Sequence, residues 1–197
     1  MRTDVDLAAH LARNGIRLGI ASSGAWSALR AIFEAGGARM AEQRYEVRGG
    51  NALEVVLTSV QEPETIFAYD QRNRLSGRTV PSGDRMMRID HLLHPELGGC
   101  TELSVYFEIR RDLGVMTWES HDGVISQVPS YDWHRFQSLS VPLTLNPEEF
   151  LVIGPSDETT NEYLVGSRFF RGRRTGQPYE TVLCVTPRPY QVETATR

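Results

Sequence analysis

The chain contains no lysine; all 21 of its basic residues are arginine. This removes the cation with which a P-loop holds nucleotide phosphates. The glycine-containing turn Ile153-Gly154-Pro155-Ser156-Asp157 is neither a P-loop nor a dinucleotide fingerprint. Arginine in place of lysine is what a GC-rich genome produces, and such a bias speaks to solubility rather than to fold. Cysteine is scarce as well. Cys100 and Cys184 make no disulfide framework, and two buried thiols are the expectation. Nothing approaches the run of about 18 apolar residues that a spanning helix requires, so no transmembrane segment is expected. The first residues carry Asp4 and Asp6 where a signal peptide would be basic, and no apolar stretch follows them. A soluble, cytoplasmic protein is the expectation from that feature. An excess of positive charge is also missing. The net charge of -4 argues against the basic footprint that phosphate neutralisation demands, so no nucleic acid is expected as a partner.

Catalytic signatures are absent in the same way. No Gly-x-Ser-x-Gly elbow, no paired Cys-x-x-Cys and no His-Glu-x-x-His occurs. A triad is a matter of geometry rather than of sequence order, so this lowers the odds of catalysis without closing the question. No cofactor is implied.

What the sequence does contain is an ordinary globular composition, 40% hydrophobic and 23% charged, at a length suited to one domain. The patterning predicts an α+β fold: two N-terminal helices with a predominantly antiparallel, strand-rich remainder. We expect a single domain over 1–197, with a small α/β unit at 1–60 and an antiparallel β unit at 61–197. Val5, Leu7, Ala8 and Leu11 fall at helical spacing, with Thr3 or Asp4 as N-cap and Asn14-Gly15 as the stop. Residues 16–21 alternate as a half-buried strand. Trp26, Leu29, Ile32 and Phe33 share the face of a second helix that ends at Gly36-Gly37. Further strands are predicted at 44–48, 52–60, 65–69, 75–80, 85–93, 102–111, 115–119, 136–145, 150–153, 163–170 and 181–186. Turns are predicted at 70–73, 94–99, 112–114, 121–123 and 146–149, and a loop over 128–133.

Three clusters carry candidate chemistry. Asp90, His91, His94, Glu96 and Cys100 have the residue types zinc accepts, and His91, His94 and Cys100 are the candidate ligands. The i, i+3 spacing of the histidines is compromised by Pro95, which interrupts a helix there, and a polar loop is the plainer reading. Trp133 and His134, beside Tyr131 and Asp132, could line a ligand pocket, although one aromatic anchoring a loop to the core, with its polar neighbours solvated, is the plainer reading. Arg168, Arg171, Arg173 and Arg174, interleaved with Phe169 and Phe170, could bind an anion, or could form the solvated tip of a hairpin ending at Gly176.

The C-terminal third contains Leu-Val-Ile-Gly at 151–154, Val-Gly-Ser-Arg-Phe-Phe at 165–170 and Val-Leu-Cys-Val-Thr-Pro-Arg at 182–188. In this order they resemble the end of the secretin channel domain of bacterial secretion systems. There a strand closing in Leu-Val-Ile-Gly precedes a Leu-Gly-x-x-Phe segment and a final apolar strand ending in Thr-Pro-Arg. This chain departs from that family in lacking an export signal, a Pro-rich connection and the alternating lipid-facing strands of an outer-membrane barrel. The resemblance therefore implies a shared β-hairpin module rather than a pore, and a cell-envelope location.

The reading that follows is a non-enzymatic structural or protein-interaction domain, secretion- or envelope-associated, with a protein partner or self-association. An exposed strand edge or the arginine tip would be its contact surface. The alternative is a metal-dependent hydrolase built on the 90–100 cluster, with a metal-bound water as nucleophile. A third reading is anion or nucleic-acid binding through Arg168 to Arg174.

Overall fold

Helix α1 (Val5–Arg13) buries Leu11 and Ala12 and stops where Gly15 takes the left-handed backbone, φ 77°, that turns the chain into strand β1 (Ile16–Ser22). A single 3-10 turn leads into α2 (Trp26–Ala35). The computed structural model describes residues 5–47, 51–121 and 123–188, apart from the side chains of Val5, Leu97, His121 and Arg174. Thr3 and Asp4, the expected caps, lie outside the described residues. Residues 44–47, predicted as strand, are instead unpaired backbone, and Arg48 lies outside the described residues.

The remainder is dominated by antiparallel strands. They are β2 (Leu53–Val60), β3 (Glu64–Tyr69), β4 (Leu75–Val80), β5 (Gly83–His94), β6 (Cys100–His121), β7 (Val124–Arg135), β8 (Val141–Leu145) and β9 (Glu149–Pro155). Helix α3 (Val165–Phe170) follows, then β10 (Arg171–Arg174), β11 (Gln177–Glu180) and β12 (Leu183–Val185). The largest sheet runs β2-β5-β6-β7, with β8 pairing the first part of β6. A second sheet, β1-β9-β12, joins the start of the chain to its end: Ile16 faces Pro155 and Ser22 faces Glu149 in register. This pairing links residues expected in the 1–60 unit directly to the 61–197 unit. Hairpins β3-β4 and β10-β11 complete the set. Among the described residues no helix is long and apolar enough to cross a membrane.

One core serves both larger sheets. Met87 and Ile89 of β5, Leu103, Val105, Phe107 and Ile109 of β6, and Val141, Leu143 and Leu145 of β8 alternate inward and meet Leu151 and Ile153 of β9. Phe169 and Phe170 of α3 stand edge-on to Phe107, with centroids 5.6 and 6.0 Å away.

Four departures from the predicted pattern occur in these strands, and the first three have physical causes. Within the stretch 163–170, predicted as strand, residues 165–170 form α3, because a short apolar run reads alike as strand or helix, and here Val165, Phe169 and Phe170 are all buried against the core. Gly166 permits it: a β-carbon there would overlap the carbonyl of Gly15, whose neighbour Asn14 accepts a hydrogen bond from the Gly166 N–H at 2.8 Å. The stretch 128–133, predicted as loop, lies within β7, where Pro129 is accommodated because β7 is an edge strand paired only with β6. The turn predicted at 112–114 is a bulge inside β6: register shifts between Asp112 and Met116, and Gly114 takes φ 67° with its N–H bonded to Asp112 Oδ1 at 2.8 Å. The strand predicted over 136–145 starts later, after a 3-10 turn at Gln137–Leu139.

Candidate interaction surface

Strand β6 is 22 residues long, far beyond the five or six of an ordinary strand. Its first half sits between β5 and β8 or β7, and its second half pairs with β7 alone. The two strands leave the body beyond the Asp112–Met116 bulge as a two-stranded arm that turns at Gly123 (φ 78°). Opposite residues of an antiparallel pair share a face. One face of the arm therefore carries Met116 with Pro129, Trp118 with Gln127, and Ser120 with Ile125; the other carries Thr117 with Val128 and Glu119 with Ser126. Trp118 is 67% exposed and Ile125 68%, and Leu113, Val115, Met116 and Val124 are exposed beside them.

The first of these faces continues onto the outer face of the sheet. There Tyr131, Trp133 and Arg135 of β7 lie opposite Asp112, Arg110 and Glu108 of β6. The Arg110 guanidinium stands 4.8 Å from the Tyr131 ring centre and 5.9 Å from that of Trp133, and Arg135 lies 4.3 Å over Tyr106. Arg110 also pairs with Asp84 at 2.9 Å, whose carboxyl is held below its usual range by the Ser59 hydroxyl and by Arg110. Arg88 joins the lattice through Asp90 at 3.0 Å. Beneath this layer Glu108, 1% exposed, pairs with Arg135 through Oε1, while Oε2 has no hydrogen-bond partner among the described residues. Arg88, Glu108, Trp133, Arg135 and Gln137 line a shallow hollow of about 350 Å³.

The predicted clusters fare differently. Trp133 belongs to this outer face, but His134 points to the opposite side of β7. There it lies edge-on to Phe136, with centroids 5.3 Å apart, and Nε2 is 3.2 Å from Arg78. Burial and Arg78 push the His134 imidazole below its ordinary range, against Asp132. His91 and His94 occupy opposite faces of β5 by the same alternation, and Cys100 lies opposite His94 in register. His94 is held between Glu96 at 2.9 Å and Glu102 at 3.2 Å, which raise its pKa. Asp90 is engaged by Arg88, and the Cys100 thiol donates to Asn146 Oδ1 at 3.4 Å. Among the described residues no three His, Cys, Asp or Glu side chains converge as metal ligands. No disulfide joins Cys100 to Cys184.

No protein-family model, curated protein or solved structure matches this chain.

The arginine cluster is divided between structural roles. Arg168 pairs with Glu64 at 3.3 Å and stands 4.9 Å over Tyr163, and its carbonyl accepts a hydrogen bond from Arg85. Arg171 reaches Glu180 at 2.8 Å and the carbonyls of Ser156 and Thr159. Arg173 is exposed on the β10-β11 hairpin, and the Arg174 side chain lies outside the described part. Sequence reasoning missed Tyr106, Glu108, Arg110 and Arg135 as one surface. The alternation of β6, apolar at 103, 105, 107 and 109 and polar at 102, 104, 108 and 110, was the available signal.

Proposed function

We propose that this chain is a non-enzymatic assembly module that engages a protein partner through the β6-β7 arm. The observation that carries the reading is the exposure of Trp118, Ile125 and Met116 on a ribbon that no other described residue covers. An isolated two-stranded hairpin is marginally stable in water, and an apolar patch concentrated on one marks an interaction site. Aromatic and methionine side chains are also the residues enriched where proteins meet. The likeness of 151–154, 165–170 and 182–188 to the secretin channel domain favours a secretion- or envelope-associated setting as the finer part of this proposal.

A photo-reactive phenylalanine analogue tests the reading when placed, in cells of the source organism, at Trp118, at Ile125, or at the exposed Arg72 as control. Adducts of discrete mass are expected from the two arm positions and not from position 72. Their absence from both arm positions overturns the reading.

A further inference from the structure

A second element of the same chain is only partly covered: on α2, Leu29 and Phe33 are half-buried, while Trp26 and Ile32 are exposed. None of the ten residues of α2 is buried. Trp26 leans edge-on against Phe150, with centroids 5.7 Å apart, but Ile32 is 66% exposed, and Trp26, Leu29, Ile32 and Phe33 share one face at helical spacing. An amphipathic helix of this length owes its stability to packing of its apolar face rather than to propensity.

Its position is set by the β8-β9 turn. Ser23, just before the helix, donates its N–H to the Glu148 carbonyl at 2.7 Å and its hydroxyl to the Glu148 carboxylate at 2.8 Å. Asn146 of that turn receives the Cys100 thiol, and Pro147 lies beside Gly99. The helix therefore rises at the Cys100 end of β6, whereas the arm occupies the His121 end of the same strand. At about 3.3 Å per residue the two ends are at most roughly 70 Å apart, less what the Asp112–Met116 bulge takes up.

We propose that α2 of one copy of this chain packs on the arm of the next, head to tail. The inference rests on the arm being an interaction surface, and it names the occupant. Three features of the two elements fit one another. The helix is about 15 Å long and the regular part of the arm about 20 Å. The arm face with Met116, Trp118, Ser120, Ile125, Gln127 and Pro129 carries no charged side chain. The apolar face of α2 carries none either, and Arg30 and Glu34 on its flank pair with each other at 2.8 Å, so closing the contact strands no charge. Finally, elements at opposite ends of β6 cannot meet within one copy. A two-fold contact of arm on arm would leave the Ile32 side of α2 exposed, whereas a head-to-tail contact covers both. Such heterologous contacts generate rings when the rotation closes and filaments when it does not.

Sedimentation velocity on the purified full chain over a concentration series tests this with two variants, Trp118→Glu and Ile32→Glu, whose wild-type side chains are both exposed. Circular dichroism melts confirm that each variant folds. The wild type is expected to rise with concentration above its 22.2 kDa monomer mass. Each variant alone is expected to stay at that mass. An equimolar mixture of the two is expected to stop at twice it, because one intact arm and one intact helix remain. Self-association of Ile32→Glu alone overturns the head-to-tail contact in favour of arm on arm, leaving the arm as the surface. A wild type that stays monomeric at every concentration also overturns it. The photo-crosslinks from the arm then decide separately whether a different protein occupies that surface.

Discussion

Asn14 holds Tyr69 by both of its backbone groups: Nδ2 donates to the Tyr69 carbonyl at 3.3 Å, and Oδ1 accepts from the Tyr69 N–H at 2.8 Å. A side chain here does the work of a strand neighbour. The same fully buried residue donates to the carbonyl of His10 at 3.0 Å, and its own carbonyl accepts from Gly166. It thereby ties α1, β3 and α3 at one point.

Asn14→Ala leaves the paired groups of Tyr69 without their partner and removes a buried amide. The expected loss is about 2–3 kcal/mol of unfolding free energy, from several hydrogen bonds broken at once. Urea titration of the variant against the wild type measures it, and a loss under about 0.5 kcal/mol would contradict this role.

The Glu108–Arg135 pair predicts an asymmetry. In Glu108→Gln the amide oxygen keeps the bond to Arg135 Nε, and the amide nitrogen replaces the oxygen that lacks a donor. Arg135→Ala instead leaves a buried carboxylate without its hydrogen-bonding cation, with only the more distant charge of Arg88 beside it. Allowing for the partial exposure of Arg135, it is expected to cost about 2–3 kcal/mol, at least about 1 kcal/mol more than Glu108→Gln. Denaturant midpoints of the two variants at pH 7 give the comparison.

His94 and His134 are expected to titrate on opposite sides of the ordinary imidazole value of 6.5. Hydrogen bonds to Glu96 and Glu102 favour the imidazolium of His94. Its contribution to stability is therefore present below the unfolded pKa and is lost as pH rises through the higher folded value. Burial and Arg78 favour neutral His134. That contribution is present above the unfolded pKa and is lost as pH falls through the lower folded value. Proton NMR of the imidazole Cε1–H resonances resolves both. Glu102→Gln is expected to move the His94 midpoint down and leave that of His134 in place.

Trp118→Glu and Ile125→Glu are expected to leave unfolding free energy within about 0.5 kcal/mol of the wild type, since neither side chain packs on the core. Binding of a hydrophobic dye is expected to fall in both. A large destabilisation would make the arm part of the folding unit rather than a surface held out for a partner.

Many of the strand positions were legible, because β1 and the first half of β6 alternate apolar and polar residues where one face is buried, and β5 is a run of apolar and arginine residues bounded by turn signals. The hairpin at 70–73 followed from Asp70 and Asn73, and the structure shows why: Asp70 Oδ1 accepts from the backbone N–H of both Arg72 and Arg74. Helix α3 was not legible, since six residues hold too few periods to separate 3.6 from 2, and the Gly166–Gly15 approach that seats it is a tertiary contact. The arm was illegible for a related reason. Asp112-Leu113-Gly114 carries turn residues, and only the pairing of Met116 with Pro129 beyond them shows a bulge in a continuing strand. The outer face was hidden because its members come from strands far apart in sequence, which only register aligns.

Because β6 is both the middle of the main sheet and one side of the arm, a load applied at the tip is transmitted along the strand axis. It reaches the ladders to β5 and β8, whose hydrogen bonds lie across that axis. Those bonds are sheared together rather than unzipped one after another. A partner pulling on the tip would thus pull against the whole body of the protein.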